Sequence, residues 1–113
     1  MATLVVALVT AAVANSVGEE LLWRGCLVSE TAGLHTASRY SLQVVSFGLA
    51  HYHGLPSGIV GCVLTGGCAA ALLWVHQRWG MTASIVFHIV ADLVIFVAVL
   101  PWVFFTSWIV VPQ

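Results

Sequence analysis

The chain has 113 residues, of which 61% are hydrophobic and only 6% are charged, and its formal net charge is -1. Soluble domains carry about 25% charged residues, so this composition excludes an ordinary water-soluble domain and indicates a membrane protein. The sequence contains no lysine and only three basic residues in total, which excludes a basic surface for nucleic acid. At roughly 20 residues per crossing, about four transmembrane helices fit into a single membrane-embedded domain. We expect that domain to span residues 1–113.

The first predicted helix runs from about Thr3 to Val28. Its apolar residues are interrupted only by Gly18-Glu19-Glu20 and by Arg24. The small residues Ala12-Val13-Ala14 fit the cleavage site of a signal peptide, but no basic residue precedes the apolar run, as a signal peptide normally requires. We therefore expect a first helix that is retained in the membrane.

Two further helices are predicted on either side of a short loop. The polar stretch 29–39 predicts a turn outside the hydrocarbon, and the second helix spans about Tyr40 to Tyr52. Glycine and proline together mark residues 53–58 as a loop. The third helix starts at Pro56 or Ser57 and reaches about Trp79.

The fourth predicted helix begins near Met81, because Gly80 breaks the chain before it. Pro101 kinks or ends this helix and leaves residues 102–113 as its continuation or as an interfacial tail. The fold class predicted from these segments is all-α: a multi-pass transmembrane bundle of about four helices with a C-terminal extension.

Small residues indicate close packing of the third helix. They recur at four-residue spacing along one face, at Gly58, Cys62, Gly66 and Ala70. In lipid, such a stripe lets neighbouring helices approach closely. The three cysteines are odd in number and lie inside apolar segments, so we interpret them as packing residues rather than disulfide partners.

Two arginines bear on orientation. Arg39 and Arg78 fall in the first and third connections, which lie on the same side of a serpentine of helices. The positive-inside rule makes that side cytoplasmic and places both termini outside.

Ionisable side chains lie within the apolar segments, where each costs about 2.5–3.5 kcal/mol at the centre of a helix. They are Glu19, Glu20, Arg24, His51, His88 and Asp92. Several such groups would oppose insertion unless they face one another in a polar cavity. By default they mark a functional site.

The spacing of these residues indicates which of them share a helix face. Three pairs are four residues apart: Glu20 with Arg24, Phe47 with His51, and His88 with Asp92. Glu19 points about 100° away from Glu20, so it can remain free of the arginine. Counted from the helix ends, Glu19 and His51 rise roughly 16 Å and His88 roughly 13 Å from the same side. We therefore expect these three side chains to meet near the middle of the bilayer.

Three motifs in this order resemble those of a known family. Residues 19–24 fit the pattern EExxxR, residues 47–51 fit FxxxH, and residues 88–92 fit HxxxN/D. Over about Val17 to Val97 the chain is similar to the core of the CAAX-protease and bacteriocin-processing family, which includes the eukaryotic Ras-converting CAAX endopeptidase.

The resemblance implies an intramembrane endopeptidase of the glutamate type. We expect no metal and no other cofactor. Glu19 would be the general base that activates water, helped by His51. His88 and Asp92 would hold the oxyanion or the water. The expected supports of the site are Glu20, Arg24 and Phe47, the last as a wall.

The resemblance also implies a setting and a class of partner. We expect a multi-pass protein of a bacterial or archaeal plasma membrane, with the lipid bilayer as its surroundings. The expected substrate is a membrane-associated peptide or protein tail. The sequence selects neither the particular substrate nor an oligomeric state.

Two alternatives remain open from the sequence. Glu19, His51 and His88 form a donor set that zinc uses in proteases, although no HExxH motif is present. The other alternative is a non-enzymatic membrane protein, such as an immunity factor or a scaffold.

Overall fold

The computed structural model describes residues 2–54 and 56–99. Every regular element within them is helical, and the order is α1 (Ala2–Glu30), α2 (Thr36–Ala50), α3 (Gly58–Trp79) and α4 (Met81–Val94). The predicted all-α bundle of about four helices is confirmed. Helices α1 and α3 are long and apolar enough to cross a membrane, whereas the apolar helix that begins at Met81 is shorter. Pro101 and residues 102–113 lie outside the described residues.

Helix α1 changes its hydrogen-bond pattern at the predicted site. It is α-helical over Ala2–Glu20, π-helical over Leu21–Leu27 and α-helical again over Val28–Glu30. The wider turn therefore begins directly after Glu20. Such π-helical insertions are rare and frequently occur at functional sites, because they rotate the side chains that follow.

The turn between α1 and α2 is shorter than predicted. Helix α2 begins at Thr36 rather than near Tyr40, because Nδ1 of His35 accepts a hydrogen bond of 3.3 Å from the backbone N–H of Ala37. This bond satisfies one of the free N–H groups at the start of the helix. Arg39 donates from Nη2 to the carbonyl of Ala32 at 2.8 Å. Part of the predicted polar turn is thus the capped first turn of α2.

Glycines bring α2 and α3 into close contact. A Cβ on Gly48 would lie 2.5 Å from the carbonyl oxygen of Cys62, and one on Gly66 would lie 3.1 Å from that of Val44. The stripe of small residues therefore faces α2 at Cys62 and Gly66. At Gly58 a Cβ would meet nothing within 4 Å, and the positive φ of 74° explains the glycine there.

Helix α4 packs against both α1 and α3, so it joins the first helix of the chain to the third. Gly80 separates α3 from α4 with a positive φ of 87°, as the predicted break requires. A π-helical turn, Ile95–Val99, continues α4. Helices α2 and α3 are also joined by a hydrogen bond between the start of α2 and the end of α3, where Tyr40 Oη donates to Gln77 Oε1 at 2.9 Å.

The distribution of side chains is that of a membrane protein. Large apolar residues face outward: Ile59 is 77% exposed, Val6 64% and Leu49 63%. Glu20 and Arg24, in contrast, are buried. A water-soluble protein reverses this arrangement. The outer surface therefore fits hydrocarbon.

The three cysteines are free thiols. Cys26 and Cys68 are exposed, whereas Cys62 is half-buried and its backbone lies against Gly48 of α2. The packing interpretation therefore fits Cys62 best.

Candidate active site

A cavity of about 330 Å³ opens between the helices. The predicted catalytic side chains all line it: Glu19, His51, His88 and Asp92. They come from α1, the end of α2 and α4. Much of the remaining wall is apolar and includes Leu72, Phe87 and Ile95.

Glu19 lies between the two histidines of the cavity. Its Oε1 is 3.6 Å from Nε2 of His51, and its Oε2 is 3.6 Å from Nε2 of His88. These are ion-pair distances and too long for good hydrogen bonds. Oε2 is buried without a hydrogen-bond partner among the described residues. A buried acceptor of this kind has capacity for a further donor, such as water.

Glu20 has no such free capacity. Its Oε1 is 3.1 Å from Nη1 of Arg24 and 2.9 Å from Nδ1 of His88, and its Oε2 accepts from the hydroxyl of Ser84. Glu20 and Arg24 are both fully buried side chains. The other end of the guanidinium donates from Nη2 to the carbonyl of Ala69 at 3.2 Å. The hydrogen bonds of Glu20 and Arg24 therefore connect α1 to α3 and α4.

Phe47 lines the cavity. The ring is 2% exposed. The imidazole of His51 stacks on it with centroids 4.4 Å apart, and the guanidinium carbon of Arg24 lies 4.9 Å from the ring centroid on a cation–π contact. Phe47 therefore separates the buried arginine from the histidine of the cavity.

His51 lies one residue beyond the end of α2, at its C-terminal cap. Its ring is held at Nδ1, which contacts the carbonyl of Phe47 at 2.8 Å. The predicted four-residue pairing of these two side chains is therefore present even though the helix ends earlier than about Tyr52.

The hydrogen bonds of the two histidines determine where their protons lie. A carbonyl oxygen only accepts, so Nδ1 of His51 donates to Phe47. Glu20 is held as a carboxylate by its ion pair, so Nδ1 of His88 donates to it. The Nε2 atoms of both rings then face Glu19.

Asp92 is held from α1 by residues that the sequence reasoning missed. Its Oδ2 accepts from Ser16 Oγ at 2.9 Å and from Asn15 Nδ2 at 3.4 Å. Its Oδ1 is 3.7 Å from Nε2 of His88. The carboxylate therefore acts as an acceptor within the site.

Gln43 was missed as well. It is fully buried on α2, and its Nε2 donates to the carbonyl of Trp23 at 2.7 Å. That carbonyl belongs to the π-helical turn of α1. The bond therefore connects the turn that carries Arg24 to the helix that carries Phe47.

A common signal could have found these missed residues. Each helix of the site carries a series at four-residue spacing, and the series are Ser16-Glu20-Arg24, Gln43-Phe47-His51 and Ser84-His88-Asp92. Residues at this spacing share a helix face. Extending each motif by one turn toward its N-terminus therefore identifies the buried partner.

Two further histidines and the zinc alternative can be compared with the structure. His53 lines the cavity, whereas His35 caps α2. Across residues 2–54 and 56–99, no group of three or more histidine, cysteine, aspartate or glutamate side chains is arranged to hold a metal ion.

Comparison with known proteins identifies the family. A family model described as Type II CAAX prenyl endopeptidase Rce1-like matches residues 1–94. No curated protein and no solved structure matches the chain. The matched region includes the EExxxR, FxxxH and HxxxN/D motifs and the four ionisable side chains that line the cavity, which are Glu19, His51, His88 and Asp92. The family resemblance predicted from those motifs is confirmed: the chain belongs to the Type II CAAX prenyl endopeptidase Rce1-like family, a family of membrane proteases.

Proposed function

We propose that this protein is an intramembrane endopeptidase that hydrolyses a peptide bond with a water molecule activated by Glu19. The observation that carries the proposal is the position of this carboxylate. It lines the cavity between His51 and His88, and one of its oxygens has no hydrogen-bond partner among the described residues.

The difference between the two adjacent glutamates supports Glu19 as the base. A general base needs a lone pair that water can reach. The oxygens of Glu20 are occupied by Arg24, His88 and Ser84, and its side chain is fully buried. The side chain of Glu19 is 21% exposed and borders the cavity.

The proposed reaction balances its protons within the cluster. Glu19 takes a proton from water as the water oxygen attacks the carbonyl carbon of the scissile bond. His51 lies beside the same carboxylate and carries or stabilises that proton. The carbon–nitrogen bond then breaks, and the proton passes to the departing amine. No covalent bond to the enzyme is formed.

His88 would stabilise the oxyanion of the tetrahedral intermediate. Its ring is oriented by Nδ1–H donation to Glu20, which leaves Nε2 facing the cavity residues Glu19 and Asp92. When Nε2 of His88 also carries a hydrogen, it can donate a hydrogen bond to the oxyanion. The apolar cavity wall strengthens such a bond, because a donor acts more strongly where water is excluded.

The proposed substrate is a peptide or protein tail that lies in or on the membrane. The cavity wall is largely apolar, which suits a hydrophobic segment. His53 and Gly54 also line the cavity, so the connection between α2 and α3 borders the entrance that we propose for the substrate. The family is described as CAAX prenyl endopeptidases, which makes a prenylated CAAX peptide the first probe.

We further propose a multi-pass topology in a bacterial or archaeal plasma membrane. Tyr40 near the start of α2 is hydrogen-bonded to Gln77 near the end of α3. This contact supports a common side for Arg39, in the first turn of α2, and Arg78, in the last turn of α3, and the positive-inside rule makes that side cytoplasmic.

The test is cleavage of a fluorogenic prenylated CAAX peptide by the purified protein in lipid nanodiscs. We expect Glu19→Gln to lower kcat by about 10² to 10⁴-fold, the usual contribution of a general base. Glu30→Gln is the matched control, because Glu30 is exposed at the far end of α1. Full cleavage by Glu19→Gln would refute the proposal. If the protein were a scaffold or immunity factor, Glu19→Gln would keep its biological activity.

A second experiment addresses zinc. We expect cleavage to continue after dialysis against a strong chelator, while a known zinc protease in the same assay loses its activity. Activity that disappears with the chelator and returns on addition of zinc would establish the metal-dependent alternative instead.

A further inference from the structure

One polar side chain of the cavity has no role in the proposed mechanism. Asn15 lies one helical turn before Glu19 on α1, so the two residues share a face and line the same cavity. We propose that Nδ2 of Asn15 donates a hydrogen bond to the oxyanion of the intermediate. This inference rests on the proposed function, and it places a neutral amide donor on α1.

The position at which the family motif allows asparagine cannot supply such a donor here. That position is occupied by Asp92, whose Oδ2 accepts from Ser16 and from Asn15. Its Oδ1 faces Nε2 of His88 at 3.7 Å. A carboxylate surrounded by donors is an acceptor, and it repels an oxyanion instead of stabilising it.

The amide of Asn15 has one N–H that is not bonded to Asp92. Because Asp92 accepts, the atom of Asn15 that faces it must be Nδ2 and not the amide oxygen. An amide nitrogen carries two hydrogens, and only one can point to Asp92. Among the described residues the bond to Asp92 is the only hydrogen bond that this amide makes. The second hydrogen is therefore free for a group in the cavity.

The surroundings also favour Asn15 over its neighbour. Ser16 makes the shorter bond to Asp92, at 2.9 Å, but it is fully buried and does not line the cavity. Asn15 is exposed and borders the cavity. Ser16 thus contacts the carboxylate without lining the cavity, whereas Asn15 contacts the carboxylate and also lines the cavity.

The arrangement also assigns a positioning role to Asp92. A carboxylate that accepts one N–H of an amide fixes the direction of the other N–H. With Nε2 of His88 on α4 and Nδ2 of Asn15 on α1, two donors from different helices would reach the oxyanion. Asp92 lies within contact of both and would orient them.

The test compares Asn15→Ala with Ser16→Ala in the nanodisc cleavage assay. Both variants remove one hydrogen bond to Asp92, but only Asn15→Ala removes a donor from the cavity. We expect Asn15→Ala to lower kcat by roughly 10²-fold with KM changed only a few-fold, as loss of one oxyanion donor does. Ser16→Ala should lower kcat by less than about tenfold, in keeping with loss of one supporting hydrogen bond.

The double variant Asn15→Ala/Asp92→Asn provides a rescue. It removes the amide from α1 and introduces one on α4, so we expect at least a tenfold higher kcat than for Asn15→Ala alone. The inference is overturned if Asn15→Ala costs no more than Ser16→Ala, or if the double variant is no faster than Asn15→Ala. If Asn15→Ala does not fold, the inference stands or falls on whether the double variant is at least as active as Ser16→Ala.

Glu19→Gln, measured in parallel, separates this inference from the proposed function. If Glu19→Gln is inactive and Asn15→Ala behaves like Ser16→Ala, the base assignment holds and only the donor assignment fails. If Glu19→Gln is fully active, the proposed function itself fails.

Discussion

The two sides of the site differ in how closely their charged groups are paired and in how far they are enclosed. The buried side, which we call the brace, consists of Glu20, Arg24 and Ser84, and the carboxylate of Glu20 is paired with both of the other side chains. On the cavity side, Glu19 and His51 are part-exposed and 3.6 Å apart. Adjacent residues of one helix thus have opposite environments. The difference separates a carboxylate that holds the bundle together from one that is available for chemistry.

The brace should dominate stability. Glu20→Gln removes the negative charge beside Arg24 and leaves a buried cation without its partner. Breaking a buried ion pair in this way costs about 3–5 kcal/mol. We expect a loss of this size in the free energy of unfolding, measured by denaturant titration in mixed micelles. Glu19→Gln is the matched control, and an equal loss there would remove the distinction between the two sides.

A smaller effect is expected from the hydroxyl that completes the brace. Ser84→Ala leaves Oε2 of Glu20 without its donor. Hydrogen bonds to charged groups contribute about 1.5–3 kcal/mol, so the free energy of unfolding should fall by that amount. Ser41→Ala, at an exposed position on α2, should be close to neutral in the same titration. A neutral Ser84→Ala would show that the brace does not need this bond.

The smallest expected effect concerns the helix pair that carries His51. Gly48→Ala would press a methyl group against the backbone of Cys62 and should cost about 1–3 kcal/mol, as overpacking does. Gly67→Ala is the matched control on α3, because a Cβ there meets nothing within 4 Å. Equal stability of the two variants, compared by thermal unfolding in detergent, would contradict the close approach of α2 and α3.

The convergence of the ionisable side chains on one site was predictable, because the rise and the angular step per residue of a helix are constant. Glu19, His51 and His88 were expected at one level, and the structure brings them into one cavity. The separation of Glu19 from Arg24 followed from the 100° step between neighbouring residues. Charged residues in an apolar segment are rare enough to be noticed individually.

The supporting residues were harder to predict for physical reasons. Hydroxyl and amide side chains such as Ser16, Ser84 and Gln43 occur in apolar helices without a functional role, since Ser and Thr can bond to their own helix. Their role appears only when a partner helix is placed against them. The start of α2 at Thr36 depended on the side chain of His35 acting as a cap, which composition does not reveal.

The backbone change after Glu20 was equally hidden. Nothing in residues 21–27 distinguishes a π-helical turn from an α-helical one by periodicity. Gly25 lies within this turn, where a Cβ would come 3.5 Å from the side chain of Met81. This van der Waals contact with α4 is a tertiary feature that a single helix does not encode.

The central claim is that Glu19 performs the chemistry while Glu20 maintains the structure. Its most direct test is to record the cleavage rate at saturating substrate and the free energy of unfolding on one preparation of Glu19→Gln in nanodiscs. We predict that turnover is lost by two or more orders of magnitude while stability stays within about 1 kcal/mol of the unsubstituted protein. Retained turnover, or a loss of turnover that is accompanied by unfolding, would contradict the account.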